Sequence, residues 1–405
     1  NAATLRVRNN LSKLGLCLAG SALDKTFDAR VVCLPADLTE AHLGLGGGDA
    51  TCRELQTKVG RVYHCASMVH YAHPYKRMKA ANVIGTANIV RFCCAAESTH
   101  MIPLHHISTL GVYPTDQFNS GEIHEHTAIQ TKGQAAIATG YSQSKFVGDA
   151  LLRLFVERQP PDTTRVSIYR PARIVGDYNT GQGPEDFIFK VLRLCVSVGC
   201  YPDDISWDVD AAAVNAVSEC IVRLSLYEDD RSEARITGRA RIFHMHNAKT
   251  EPFKKVCVWL GKRLKCAAAA DATANNETTL NAVSFGTWVE KCETLLLQAS
   301  TGDDDSVHAE LIPLINCPSA SAFQARVPFP LAPKAIRCTQ TEAALRDISD
   351  SGTKCAGEAD DGLRTKMAGF AVGIGWSSGE FFQLFERCIG ALSSEFTSWE
   401  KKLVE

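Results

Sequence analysis

Tyr141 and Lys145 stand four residues apart in the run GYSQSKFVGDALL. On a helix, that spacing puts the phenol and the ammonium one turn apart on the same face. A nearby cation favours the phenolate, so the Tyr141 pKa is expected to fall toward working pH. A phenol tuned in this way can give or take a proton at a carbonyl. Upstream, the strand-like run HHISTLGVYP carries Ser108 and Thr109. A hydroxyl at the end of that strand can hydrogen-bond the same carbonyl oxygen. The competing reading is a solvated helix that carries Tyr and Lys by chance, and the flanking runs described below weigh against it.

Composition sets the class of molecule that must hold these groups. The chain has 405 residues, 45% hydrophobic and 22% charged, enough for one large or two ordinary soluble domains. A formal net charge of −2 gives no sign of a nucleic-acid or membrane surface. No uninterrupted apolar run is long enough to span a bilayer. The opening NAATLRVRNN has no apolar signal-peptide core. The 16 cysteines are scattered, with no C-x-x-C pair and no zinc spacing, and read as reduced thiols of a cytoplasmic protein. Histidines 64, 70, 73, 105 and 106 do not form a metal set, because strand neighbours such as His105 and His106 point to opposite faces. Asp303 to Asp305 read as a solvated loop, and no metal is expected.

Five short apolar runs read as strands: 29–38, 58–67, 100–109, 165–171 and 240–247. Helical patterns fall at 75–97, 140–158, 184–198 and 212–226, with an amphipathic helix over 1–16. Strand–helix alternation of this kind predicts βαβ units and a parallel sheet. Ligands of such sheets bind beyond the carboxyl ends of the strands. Asp37, the HCAS turn, Thr109 and the YRP turn all fall at such ends. The last third reads as a helical subdomain with pieces at 251–264, 284–298 and 377–392, broken by polar inserts at 267–279, 300–306 and 347–361. Trp288 reads as core.

Several runs together resemble the thioester reductase domain of the extended short-chain dehydrogenase/reductase superfamily. Such domains end many nonribosomal peptide and polyketide synthases, aminoadipate reductase and carboxylic acid reductases. The resembling runs are PADLTEAHLGL (35–45), VYHCASMVHYAHPYKRMKAANVIGTANIV (62–90), ISTLGVY (107–113), GYSQSKF (140–146), YRPARIVGDYNTGQGPEDFIFKVLRLCVSVGCYPD (169–203) and FHMHN (243–247). The resemblance implies Thr109, Tyr141 and Lys145 as catalytic residues, with Thr109 preferred to Ser108 because it lies four residues before Tyr113. It implies that Asp37 and Leu38 flank an adenine, and that Cys65, Ala66 and Ser67 line the pyrophosphate and ribose. Asn82 would hold the nearby strand or relay protons. Tyr141 and Lys145 would also touch the cofactor, and Pro171 to Ile174 would pass its carboxamide. Arg6 falls where the family often has an Arg near a 2′-phosphate. His244 and Asn247 are motif positions with a structural role. The departures are Cys65 and Ser67 for Asn and Ala, Phe146 for Trp, Asp149 for Glu, and AAAVN (211–215) for VPVD.

The expected fold is therefore α/β: a Rossmann-like doubly wound parallel sheet over 1–247, with 178–226 contributing to the substrate region, and a mostly helical substrate subdomain over 248–405. The implied activity is NADPH-dependent reductive release of an acyl or peptidyl chain from a phosphopantetheinylated carrier domain, as aldehyde or alcohol, by a domain that is itself monomeric. An acyl-CoA or sugar-nucleotide member of the same superfamily is one alternative. A non-catalytic remnant that docks a carrier domain is another. A dinucleotide site of this kind needs a glycine-rich turn between a strand and a helix. Gly44, Gly46, Gly47 and Gly48 follow no strand and read as a flexible surface turn, and Gly373 and Gly375 are isolated. In the family, the phosphate-holding turn precedes a helix like residues 1–16, so the chain is expected to begin just after it. The full transcript should then encode that turn upstream, and NADPH titration should show binding by the extended form and little by this chain. A start codon directly before Asn1 would refute this.

Overall fold

The protein is described by a computed structural model over residues 2–16, 20–70, 73–94, 101–114, 117, 121–130, 137, 139–160, 163–183, 186–230, 239–247, 250–270, 280–299, 336–350 and 378–391. Four strands form one parallel sheet in chain order: Val62–His64, Leu104–Ile107, Val166–Pro171 and Arg241–Met245. Four of the five expected strands are therefore present. Their side chains alternate between two apolar layers, as period-2 geometry requires. Leu104, Val166, Ile168 and Ile242 face one layer, which also holds Ile89, Val90 and Leu152 from helices Gly85–Cys93 and Gly140–Glu157. Tyr169, Phe243 and Met245 face the other. The last three strands are buried along nearly their whole length, whereas the edge strand Val62–His64 exposes Tyr63. On the second face an aromatic row crosses all four strands. Tyr63 stacks on His105 at 5.0 Å, His105 Nδ1 meets the Tyr169 hydroxyl at 3.0 Å, and Tyr169 stacks on Phe243 at 5.4 Å.

The expected strand over 29–38 is not formed. Ser21 caps a helix, accepting from Asp24 N at 3.1 Å, and that helix, Ala22–Arg30, takes up the first two residues of the run. Val31 to Asp37 follow without a ladder partner among the described residues, and Val32 is 83% exposed. An extended segment becomes a strand only when a neighbour satisfies its backbone groups. The glycines of LGLGGGD also differ from expectation. Gly47, at φ 93°, caps helix Gly48–Lys58, and Gly44, at φ 58°, packs on Asp37, so the run is a defined turn into a helix. No strand leads into it.

The helical last third is confirmed where it is described, by helices Phe253–Ala270, Phe285–Ala299 and Ser378–Ala391. Their apolar faces share one core with helices Phe187–Ser197 and Val214–Asp230 and with the sheet residues Tyr169 and Phe243. Trp288 is fully buried there, and Phe253 stacks on Trp207 at 4.9 Å. Insert 267–279 begins inside helix Phe253–Ala270, and its remainder, the 300–306 insert with Asp303 to Asp305, and Gly373 and Gly375 lie outside the described residues. Insert 347–361 begins inside an unexpected helix, Thr339–Asp350. That helix is capped from a distance. The buried Glu125 carboxylate accepts from Gln340 N and Thr341 N, both at 3.1 Å, and from the Thr339 and Thr341 hydroxyls. An anion at a helix amino terminus satisfies orphan N–H groups and favours the helix dipole. Among the described residues, no helix is long and apolar enough to cross a membrane.

Removing this remote cap has a measurable cost. Glu125→Ala should lower stability by about 2 kcal/mol, in the upper range for losing a cap that leaves buried donors unpaired. Equilibrium urea unfolding measures it, and an unchanged midpoint would refute the capping role.

Candidate active site

The expected catalytic residues come from two elements packed at the carboxyl end of the sheet. Helix Gly140–Glu157 starts at Thr139, whose hydroxyl accepts from Ser142 N at 3.1 Å. Its first residue has no room for a side chain: a Cβ on Gly140 would lie 2.3 Å from His73 O and 2.5 Å from Tyr75 N. Tyr141, the next residue, is half-buried, and Lys145 is buried. The second element is the strand Leu104–Ile107 and the turn after it. Thr109 caps that turn, its hydroxyl oxygen accepting from Gly111 N at 3.1 Å, which leaves the hydroxyl proton to donate elsewhere. Gly111 in turn packs against the Ser142 hydroxyl, beside Tyr141. Ser108 donates inward to Asp149 Oδ2 at 2.9 Å, so of the two hydroxyls weighed from sequence, Ser108 is engaged in the interior. Lys145 Nζ donates to Ile107 O at 2.6 Å.

Beneath these groups lies a buried charge network. Asp149 sits one turn beyond Lys145 and is completely buried. Arg170 grips both its oxygens, at 2.9 and 2.8 Å, and Arg153 adds a bond at 2.9 Å. Burial alone would raise this carboxyl, but the two guanidiniums outweigh it and hold it well below the usual carboxylate range. Arg170 also donates to the Tyr113 hydroxyl at 2.6 Å, which contacts His244 Nε2 at 3.1 Å, and His244 Nδ1 meets Arg337 O at 3.0 Å. A carbonyl can only accept, so His244 carries its proton on Nδ1. Its Nε2 then accepts from Tyr113, which accepts from Arg170, and every proton in the row points the same way. Burial drives His244 well below the ordinary histidine pKa, which keeps it neutral as this row requires. The structural role expected for His244 has this geometry as its basis. Asn247 donates to Ala211 O at 3.3 Å.

The expected downward shift of Tyr141 is not found. The protein around its phenol, and then the Asp186 carboxylate, push it up to about 12. The Lys145 ammonium is turned to the Ile107 carbonyl, so it offsets none of this. Burial brings Lys145 down to about 8, against the opposing pull of Asp149 and Cys65. His64 is lowered to about 4 by burial and by Lys145, and burial holds His106 well below its ordinary value. His64 and His106 share one face of the sheet with rings 5.0 Å apart, while His105 stacks on Tyr63. Among the described residues, no group of three or more potential ligands could hold a metal.

The residues expected to line a dinucleotide are partly gathered. Asn82 ties the segment after Val62–His64 to the Tyr141 helix: its side chain accepts from Met68 N at 2.7 Å and donates to Met68 O at 2.9 Å and Ser144 Oγ at 2.8 Å. It sits in a π-helical turn, Ala80–Ile84, a distortion frequent at functional sites. Cys65 and Ala66 are exposed and Ser67 half-exposed beside this junction. Leu38 packs against the same helical stretch, accepting from Asn88 at 2.8 Å through its carbonyl, and Asp37 closes an Asx turn on Thr39 N at 2.8 Å. Pro171 ends its strand, and Ile174 pairs with Ala212 in a short strand pair that AAAVN accommodates without disruption. Arg6 is exposed on helix Ala2–Lys13, which buries no residue, and no hydrogen bond or ion pair among the described residues links it to the others. The donor set at the strand ends fits the nicotinamide ribose half of a dinucleotide, with an ammonium and hydroxyls in place. Among the described residues, no glycine turn after a strand supplies backbone N–H groups to a pyrophosphate.

Sequence reasoning missed Gly140, Arg170 and Asp186, and noted Asp149 only as a departure from Glu. Asp149 could have been found by spacing, since it continues the Tyr141–Lys145 stripe by one more turn. Asp186 is paired at 2.8 Å with the buried Arg173. No local pattern places this carboxylate near Tyr141.

The fold is α/β, with a Thr hydroxyl and a Tyr-x-x-x-Lys helix at the carboxyl ends of a parallel sheet. The chain belongs to the NAD_binding_4 family, described as Male sterility protein, whose model matches residues 1–221. The chain is 28% identical over 290 residues to the non-canonical nonribosomal peptide synthetase FrzA of Cladobotryum sp, a match covering 71% of this chain and 25% of that protein. In fold it resembles the terminal R domain from the myxalamid PKS-NRPS biosynthetic pathway, with TM-score 0.66 and 24% identity over 96% of this chain and 80% of that one. It likewise resembles a thiolation-reductase di-domain from an archaeal non-ribosomal peptide synthetase, with TM-score 0.61 and 15% identity over 98% and 68%.

Gly140→Ala should move the start of the Tyr141 helix off the His73–Tyr75 backbone. A displacement near 1 Å can cost about 100-fold in rate. A folded Gly140→Ala protein with unchanged turnover would refute the close approach as a functional constraint.

Proposed function

We propose that the chain reduces a carrier-bound acyl or peptidyl thioester with NADPH, releasing an aldehyde. What supports this is that the turn after Thr109 packs on the helix carrying Tyr141 and Lys145, and that Lys145 Nζ donates to Ile107 O, two residues before Thr109. The relative's name, a nonribosomal peptide synthetase, and the thiolation-reductase di-domain that shares the fold support a phosphopantetheinylated carrier domain as partner. The chain spans about a quarter of that relative, so the chemistry of a larger protein is part of the proposal.

When bound, the nicotinamide supplies the hydride. Lys145, Cys65 to Ser67 and Pro171 to Ile174 would hold the dinucleotide near the strand ends, with Asp37 and Leu38 at its adenine. Arg6 is the residue we assign to the 2′-phosphate that distinguishes NADPH from NADH. Thr109 and Tyr141 donate to the thioester carbonyl oxygen as negative charge develops on it. Each such donor contributes roughly 3 kcal/mol of barrier lowering when aimed in advance. Tyr141, with its pKa raised to about 12, stays a phenol across the working range and so remains a donor. Lys145 steadies the ribose and the end of the strand while it is protonated.

Two tests follow. Tyr141→Phe should fold normally and lose reduction of an acyl-carrier thioester, and retained turnover in the folded protein would refute the role. The pH profile of kcat/KM should be level through neutrality and fall above about 8 as Lys145 loses its proton. His64 and His106 stay neutral there, the surrounding protein raises the Cys65 thiol, and Asp149 stays ionised, so the change is assigned to Lys145. A profile that rises through pH 8 would overturn this assignment. Activity on carrier-bound substrate without activity on free acyl-CoA separates this reading from an acyl-CoA reductase.

A further inference from the structure

The Thr109 strand end is fastened to the Tyr141 helix at two consecutive residues. Ile107 O accepts from Lys145 Nζ at 2.6 Å, and the Ser108 hydroxyl donates to Asp149 Oδ2 at 2.9 Å. Lys145 and Asp149 lie one turn apart on one helix face. Asp149 is itself fixed from a second direction, because the bidentate Arg170 projects from the adjacent strand Val166–Pro171. A fork-on-carboxylate pair holds orientation as well as distance. Strand, helix and neighbouring strand are thus locked around one carboxylate, and the next residue out from the lock is Thr109.

We infer that Asp149 is a positioning residue for the reaction: through Ser108 it sets where the Thr109 hydroxyl stands relative to Tyr141. It is completely buried and its bonds go to Ser108, Arg153 and Arg170, so it acts only through them. This inference rests on the proposed role of Thr109 for its effect on rate, but not for its structural content. Replacing the carboxylate leaves Arg170 buried without its partner, a situation that often costs the fold. Ser108→Ala is the milder cut, because it removes the bond to the strand end and keeps the Asp149–Arg170 pair.

The experiment compares the full chain with Ser108→Ala, Ser108→Thr and Asp149→Asn. It uses amide hydrogen exchange by mass spectrometry over residues 107–113 and steady-state reduction of an acyl-carrier thioester. Exchange at the Gly111 amide, which donates to the Thr109 hydroxyl, should quicken in Ser108→Ala and in folded Asp149→Asn. Ser108→Thr should return it to the starting rate. In the same proteins kcat should fall on the order of 10- to 100-fold with KM unchanged, and Ser108→Thr should recover most of it. Unchanged exchange in folded Ser108→Ala overturns the inference whatever turnover does. Quickened exchange with full turnover overturns it too, by showing that the lock does not govern the reaction. If the unaltered chain turns over no thioester, the functional reading fails separately, and the exchange result alone decides the lock.

Discussion

A carboxylate with no access to water, held by two guanidiniums and a hydroxyl, is the constraint around which this site is arranged. Transferring Asp149 and Arg170 out of water is costly, and the cost is offset only while geometry and partners are complete. Completeness here requires four elements at once: the Tyr141 helix for Asp149 and Arg153, the strand Val166–Pro171 for Arg170, the end of Leu104–Ile107 for Ser108, and the turn that brings Tyr113 to Arg170. Once those are fixed, Thr109 and Lys145 have little freedom left. The one-way row from Arg170 through Tyr113 and His244 to Arg337 carries the same requirement into the segment before helix Thr339–Asp350.

Three of the four sheet strands were legible in the sequence because they are buried along nearly their whole length, while the edge strand Val62–His64, with Tyr63 exposed, was legible as a short apolar run between turns. The Tyr141 helix and the helical last third were legible through their 3.6-residue periodicity. What local pattern could not show is what depends on remote partners. The run at 29–38 has strand composition but no neighbour among the described residues to pair with, and Ser21 draws its start into a helix. Helix Thr339–Asp350 ends in what reads as a polar insert, and its amino terminus is completed by Glu125, more than 200 residues earlier. The Tyr141 pKa depends on remote partners in the same way: burial by the surrounding elements, and then the Asp186 carboxylate, push it up. Spacing gives the distance between two side chains on a helix, but the direction of the Lys145 ammonium is decided by the Ile107 carbonyl.

The site also divides by function. Hydroxyls, ammonium and buried charge at the strand ends are complete among the described residues and fit the reactive half of a dinucleotide. The pyrophosphate half lacks a strand-fed glycine turn there, and the glycines that do occur, at 44 and 47, are used to close a turn over Asp37 and to start a helix. The two halves make different demands: the first needs side chains fixed to fractions of an ångström, the second needs backbone N–H groups converging on an anion.

The apolar layer beneath Tyr169 and Phe243 bears on how such domains can be recombined. It is one continuous core whose members run from Tyr169 to Cys388, drawing on helices both before and after residue 247. The final helices therefore cannot be transplanted between relatives alone without breaking this core. A chimera cut near residue 247 would set Phe253, Trp288 and Phe385 of one parent against Phe187, Leu194 and Trp207 of the other.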